Sequence, residues 1–166
     1  MIKKILLISM IGLYMALAVV EAKMSGQDGG AQVQQPNLRR NLVTLRALRM
    51  TQVLELTEQQ TAVIFPELNR AEKEKAEMQK QLAAEIGNLR QKISSGKTPD
   101  EEFETGVLKI RELRRKIQAR EQAFEDFLFN QLTPVQKARY IIFSLEFNRA
   151  IMERAQRLRQ AGQKIK

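Results

Sequence analysis

Apolar residues recur along most of this chain at alternating gaps of three and four, the period of a helix that buries one stripe. Four such stretches are separated by short polar breaks. The first, 39–53, sets Leu42, Leu45, Leu48 and Val53 mostly on one face, among Arg39, Arg40, Arg46 and Arg49. The second, 58–94, carries Ile64, Leu68, Ala71, Met78, Leu82, Ile86, Leu89 and Ile93, with the stripe interrupted at Lys75 and a kink expected at Pro66. The third, 99–130, repeats Phe103, Ile110, Ile117 and Phe124 every seven residues, joined by Leu113 and Phe127, which keeps one seam against a partner. The fourth, 134–159, is apolar nearly all round from Tyr140 to Phe147 and continues a stripe through Ile151, Met152, Ala155 and Leu158.

This pattern predicts an all-α, four-helix protomer. The break Ser94-Ser95-Gly96-Lys97 is too short for anything but an antiparallel hairpin between the second and third helices, with Gly96 as the residue after the helix end. At 1.5 Å per residue each arm is roughly 50 Å long. Two such arms and a shorter helix are too thin to cover every stripe, so an intertwined homodimer is expected.

Helix starts are written into the breaks. Leu56-Thr57-Glu58-Gln59-Gln60 and Leu132-Thr133-Pro134-Val135-Gln136 both read L-T-x-x-Q. A threonine at the N-cap accepts from the N3 backbone N–H, and a glutamine at N3 reaches back to the N-cap N–H. Pro134 falls at N1, where a missing N–H costs nothing. Thr98-Pro99-Asp100-Glu101 follows the same logic with glutamate at N3. The leucines are not explained by capping: the N4 residues, Thr61 and Lys137, cannot staple to them, so Leu56 and Leu132 must pack on another helix or on each other.

The chain opens like an export signal. Lys3 and Lys4 precede an uncharged apolar run, Ile5 to Val20, and Val20-Glu21-Ala22 offers a cleavage site. The run is 16 residues, short of the roughly 20 that span a bilayer. A cleaved signal peptide at 1–22 is expected, with an uncleaved membrane anchor as the alternative; the absence of cysteine excludes a lipoprotein anchor. The expected location is the periplasm. Residues 23–38 read as a flexible tether, 39–160 as the helical domain and 161–166 as a basic tail.

Charge narrows the partners. The 166 residues carry a net charge of +9, and loss of 1–22 removes two lysines and one glutamate to leave +8. Export argues against nucleic acid, so acidic lipid, unfolded chains or an acidic protein surface are the expected targets. There is no histidine and no cysteine. That removes the usual transition-metal ligands and the commonest general base. No cofactor, metal site or enzymatic activity is expected. The carboxylate groups Glu72/Glu74/Glu77, Asp100/Glu101/Glu102 and Glu121/Asp126 read as a solvated face, a helix N-terminus and seam flanks. Glycines 87 and 106 interrupt helical patterns and allow close helix approach.

Lys109, Arg111, Arg114, Arg115, Lys116 and Arg120 cluster on the third helix. They either pair with glutamates of the second helix, such as Glu74, Glu77 and Glu85, or form a basic surface edged by apolar groups. Arg149, Arg154, Arg157, Arg159, Lys164 and Lys166 near the C-terminus are candidates for lipid headgroups.

The two LTxxQ motifs, about 75 residues apart in an exported helical chain, resemble the Spy/CpxP family of periplasmic proteins over roughly residues 39–160. The stretch Leu56-Thr57 through Phe65-Pro66-Glu67-Leu68-Asn69 is also similar to exported sensors of extracytoplasmic-function sigma factors. The resemblance implies a four-helix protomer with a long hairpin, paired as an antiparallel cradle. It implies either an ATP-independent chaperone that binds unfolding proteins on a basic concave face or an adaptor that restrains a stress-sensor protein. Metal-sensing relatives use histidines that this chain lacks. The motif residues are Leu56, Thr57, Gln60, Leu132, Thr133 and Gln136; the expected client or partner contacts are Arg111, Arg114, Arg115, Lys116, Phe143 and Phe147. A structural coiled-coil or membrane-surface protein is the remaining alternative.

Overall fold

The computed structural model describes residues 34–163. These form four α-helices and no strand: α1 Gln34–Leu54, α2 Glu58–Ser95, α3 Asp100–Gln131 and α4 Pro134–Gln163. The expected signal segment, residues 23–33 of the expected tether and residues 164–166 lie outside the described residues. α1 begins five residues earlier than its apolar stripe, because Pro36 sits in the first turn, where its missing N–H breaks no bond. Residues 34–38 are therefore helical rather than tether. α4 runs four residues past its last expected turn.

The chain divides into two compact units. One comprises the residues up to Phe65 and from Phe129 onward; the other is Pro66–Leu128. The division falls at Pro66, inside α2.

In the first unit α1 and α4 run antiparallel. Arg46 Nη2 donates to the Tyr140 hydroxyl at 3.5 Å, and the carbonyl of Leu54 accepts from Gln136 Nε2 at 3.1 Å, so numbers rise on α1 as they fall on α4. Met50, Leu54, Ile64, Leu132, Tyr140 and Phe143 are the buried core. Tyr140 meets Phe129 edge-on, ring centres 5.8 Å apart, the arrangement that aligns ring edge with ring face. α1 ends on Glu55, whose φ of +53° is left-handed, and Leu56 N–H reaches back to Thr51 O at 3.2 Å. That six-residue closure usually carries glycine. Glutamate there costs about 1–2 kcal/mol.

The second unit is the antiparallel hairpin. Lys92 meets Glu102 at 2.7 Å, Lys109 meets Glu85 at 3.9 Å, and Arg120 bonds Glu74, so partners fall on α2 as they rise on α3. Gly106 faces Leu89, where an added Cβ would stand 3.4 Å from Cδ1. Gly96 turns the chain at φ +64°. The capping box expected at Thr98 does not form. Its hydroxyl is spent on the preceding helix end, on Lys92 O at 3.4 Å and Ser95 Oγ at 3.2 Å.

Burial along the hairpin is graded. Leu68, Ala71, Leu82, Ile117, Phe124 and Leu128 are buried, Phe103 and Ile110 only half so, and Ile93 near the turn is 64 % exposed. Two helices cannot enclose a stripe from all sides, and the turn end is least covered. Lys75, which the sequence pattern treats as an interruption, keeps its place in the stripe and is 2 % exposed. Its ammonium lies 2.8 Å from Glu72 and 3.1 Å from Glu121 across the hairpin. A buried ammonium without carboxylates would cost several kcal/mol. Glu72 is thus a partner of a buried charge rather than part of a solvated face, and Glu121, on the seam flank as expected, reaches the same charge.

Removing one member of this cluster should strand the others. Lys75→Met and Glu121→Leu are each expected to lower unfolding free energy in urea by about 2–4 kcal/mol, and the double variant by less than the two combined. Additive losses would mean the charges are not coupled.

Candidate functional site

The two LTxxQ motifs come together in the first unit and interlock. Gln60 N–H donates to Thr57 Oγ1 at 3.1 Å while Thr57 N–H donates to Gln60 Oε1 at 3.0 Å. Thr133 and Gln136 repeat this at 3.3 and 3.0 Å. Both are capping boxes as expected, and Thr57 O and Thr133 O accept the first helical bonds at 2.9 Å.

The glutamines do more than cap. Gln60 Nε2 donates to Gln136 Oε1 at 2.9 Å, and Gln136 Nε2 donates to Gln60 Oε1 at 3.1 Å. The remaining amide hydrogens go to helix ends: Gln60 Nε2 to Gln131 O at 2.8 Å, Gln136 Nε2 to Leu54 O at 3.1 Å. Each amide thus uses both hydrogens and receives two bonds, the full capacity of the group. The start of α2 is tied to the end of α3, and the start of α4 to the end of α1. Glutamate could complete a capping box, but it has no hydrogen to give those carbonyls. The requirement for glutamine at both positions follows from this, and it was the part that sequence reasoning missed. The repeated identity at N3 was its only signal.

The motif leucines differ. Leu132 is buried; Leu56 is half-buried and follows the left-handed Glu55. Arg139 pairs with Glu55 at 2.8 Å beside the interlock.

The basic cluster belongs to the second unit. Val107, Leu108, Arg111, Arg114 and Arg115 are all exposed, and their spacing sets them on one face of α3. Lys116 is exposed a quarter-turn or more away. Arg115 is held within its own helix by two bonds to Glu112, at 2.8 and 2.7 Å, and Lys116 lies 3.8 Å from the same carboxylate. The bonded Arg115 guanidinium holds the Glu112 carboxyl below the usual carboxylate range, against a smaller opposing effect of desolvation. Arg111 and Arg114 form no ion pair among the described residues. Arg120, by contrast, is not surface: it bonds Glu67 at 2.7 Å and also Glu74, and although burial opposes its charge these partners raise its pKa. A shallow groove beside the cluster is floored by Ala84, Leu108 and Leu113 and edged by the Glu85–Lys109 and Glu112–Lys116 pairs.

Phe143 and Phe147, expected as contacts for a client, lie in the first unit. Phe143 is 5 % exposed and packs on half-buried Phe147 with ring centres 5.5 Å apart, so its area is spent on the core. Among the described residues the exposed large apolar side chains of α4 are instead Val135, Ile142 and Leu145. Among the described residues no three histidine, cysteine, aspartate or glutamate side chains gather as a metal-holding group.

Thr57→Ala and Thr133→Ala should each lower stability by about 0.5–2 kcal/mol in thermal or urea melts. Gln60→Glu and Gln136→Glu should each cost more than the threonine changes, because a carboxylate then faces a backbone carbonyl. Combining the two glutamine variants should be strongly non-additive. Melting points unaffected by all four changes would show that the interlock does not hold the helix ends.

No family model, curated protein or solved structure matches this chain, so the site rests on its own geometry.

Proposed function

We propose that this chain is an exported, ATP-independent holdase of Spy/CpxP type that captures unfolding proteins on the outer face of α3. The observation that carries this reading is the sequence of exposed Val107 and Leu108 followed, one turn on, by exposed Arg111, Arg114 and Arg115. Such a face offers charge to attract a chain and apolar area to retain it. Leu108 is 62 % exposed, more than most aliphatic side chains in a folded protein. The lack of histidine and cysteine suits a binding protein more than a catalyst or a transition-metal sensor.

The functional form is a homodimer, with the two hairpins paired as a cradle. Ile142 and Leu145 on α4 and Ile93 at the hairpin turn support this, since each leaves a large apolar side chain uncovered in one protomer. Sedimentation of the purified chain should give a dimer mass at micromolar concentration. A monomer that persists at that concentration would overturn the cradle.

The functional test is light scattering of several unrelated aggregating clients. Arg111→Glu, Arg114→Glu and Arg115→Glu combined should weaken protection severalfold while circular dichroism stays helical. Arg111 and Arg114 should carry most of the loss, because Arg115 is already paired to Glu112. Salt should slow capture by the parent protein, since exposed charges are screened over about 8 Å at physiological ionic strength. Protection by the folded triple variant equal to the parent would refute the α3 surface. Tight binding of one stress-sensor domain without protection of any client would favour the adaptor.

A further inference from the structure

The positive charge of this chain is not where its densest basic cluster lies. The hairpin, 66–128, has thirteen lysines and arginines against thirteen acids, and is neutral as a whole. The first unit, over 34–65 and 129–163, has ten against four. The excess is shared by α1 and α4: the 21 residues of α1 include four arginines and no aspartate or glutamate, and α4 carries six lysines and arginines against two glutamates. Arg40 and Arg49 are exposed, and neither forms an ion pair among the described residues. α1 is also apolar on both sides. Met50 and Leu54 face the core, while Leu45 and Leu48, at 40 % and 58 % exposed, share the outward face with Asn41, Arg49 and Gln52.

We infer that the outward face of α1 docks on an anionic phospholipid surface, with Leu45 and Leu48 entering the headgroup boundary, Arg49 engaging phosphates on that face and Arg40 reaching them from its flank. A second copy of this chain does not suit the face. A two-fold contact would set the same arginines against one another with no carboxylate on α1 to answer them. An anionic bilayer answers both halves of the pattern: each arginine near such a surface is attracted, and the leucines gain burial. An export signal takes the chain through a membrane, and in the uncleaved alternative the apolar run holds it there. The apolar run ends at Val20 and α1 begins at Gln34, so the 13 intervening residues reach at most about 45 Å. The far end of α4, antiparallel to α1, adds exposed Arg154 and Arg157.

The chain has no tryptophan, so one placed on this face reports alone. The experiment uses the full chain carrying Leu48→Trp, with phosphatidylcholine vesicles that contain or lack phosphatidylglycerol. Emission should shift to the blue only with phosphatidylglycerol. Arg40→Gln with Arg49→Gln should reduce partitioning to anionic vesicles roughly tenfold or more. A Leu108→Trp reporter on the hairpin should not shift. The inference fails if the chain sediments with vesicles while the Leu48→Trp emission stays unmoved, since the apolar run alone would then be binding. It fails too if the shift is equal on both lipids, or if the Leu108→Trp reporter moves as much. Client protection is read separately, so neither result decides the other.

Discussion

Two side-chain amides hold four helix ends. Gln60 and Gln136 face each other across a pair of reciprocal hydrogen bonds, and each spends its second hydrogen on a carbonyl at the end of another helix. Helix ends are costly places to bury, because four N–H groups or four carbonyls lack partners at each. Here two starts and two ends meet, and one amide pair answers part of the need at all four. The arrangement is nearly symmetric: Thr57 and Thr133 cap alike, and Gln131 and Leu54 accept alike. It is not symmetric in its turns. α1 closes through a left-handed Glu55, whereas α3 passes to Leu132 with no such residue. The strain at Glu55 is tolerated where the amide bonds already fix the neighbouring carbonyls.

The hairpin solves a different problem. Two helices side by side bury one stripe each and leave the rest to water. Its core is firm between Leu68 and Leu82 and between Ile117 and Leu128, and thins toward the turn. A lysine sits in the firm part. Lys75 occupies a stripe position that leucine would fill more cheaply, and two carboxylates compensate it. Such clusters rarely add stability over an apolar replacement, but they specify a partner position. Sliding one arm by two turns would move Glu121 away from Lys75 and leave a charge buried. The seven-residue repeat of α3 alone would accept that slide, since its seam repeats.

Much of this was legible in the chain. Three helices were set by apolar period and the starts at Glu58 and Pro134 by their threonine caps, whereas on α1 the expected stripe residues Leu45, Leu48 and Val53 are exposed and Met50 and Leu54 take the core. The hairpin followed from a four-residue break, with Gly96 where a left-handed residue is needed. What stayed hidden depended on what lies across from a residue. Lys75 looked like a gap because no single stripe shows which carboxylate will face it. Thr98 carried the letters of a cap, but a nearby helix end offered its hydroxyl competing acceptors. Phe143 looked available in an apolar run, and packing on Phe147 and within the first unit took it. The glutamine interlock lay between these cases: its residues were singled out, but their cross-bonding required both motifs to meet.

The separation of charge then bears on how the molecule divides its work. Local clusters and net excess are different quantities. Arg111 and Arg114 make a strong near field on α3, yet the acids of the hairpin leave the unit with no net charge. The net positive field comes from the first unit, where α1 has no acid and α4 has two acids against six bases, within the reach that salt allows. Neutral arms also have a consequence for assembly. Two hairpins can approach without net repulsion, whereas two α1 faces cannot. On the reading proposed above, pairing and clients use the neutral hairpin and an anionic surface meets the cationic first unit, so the two do not compete for the same residues.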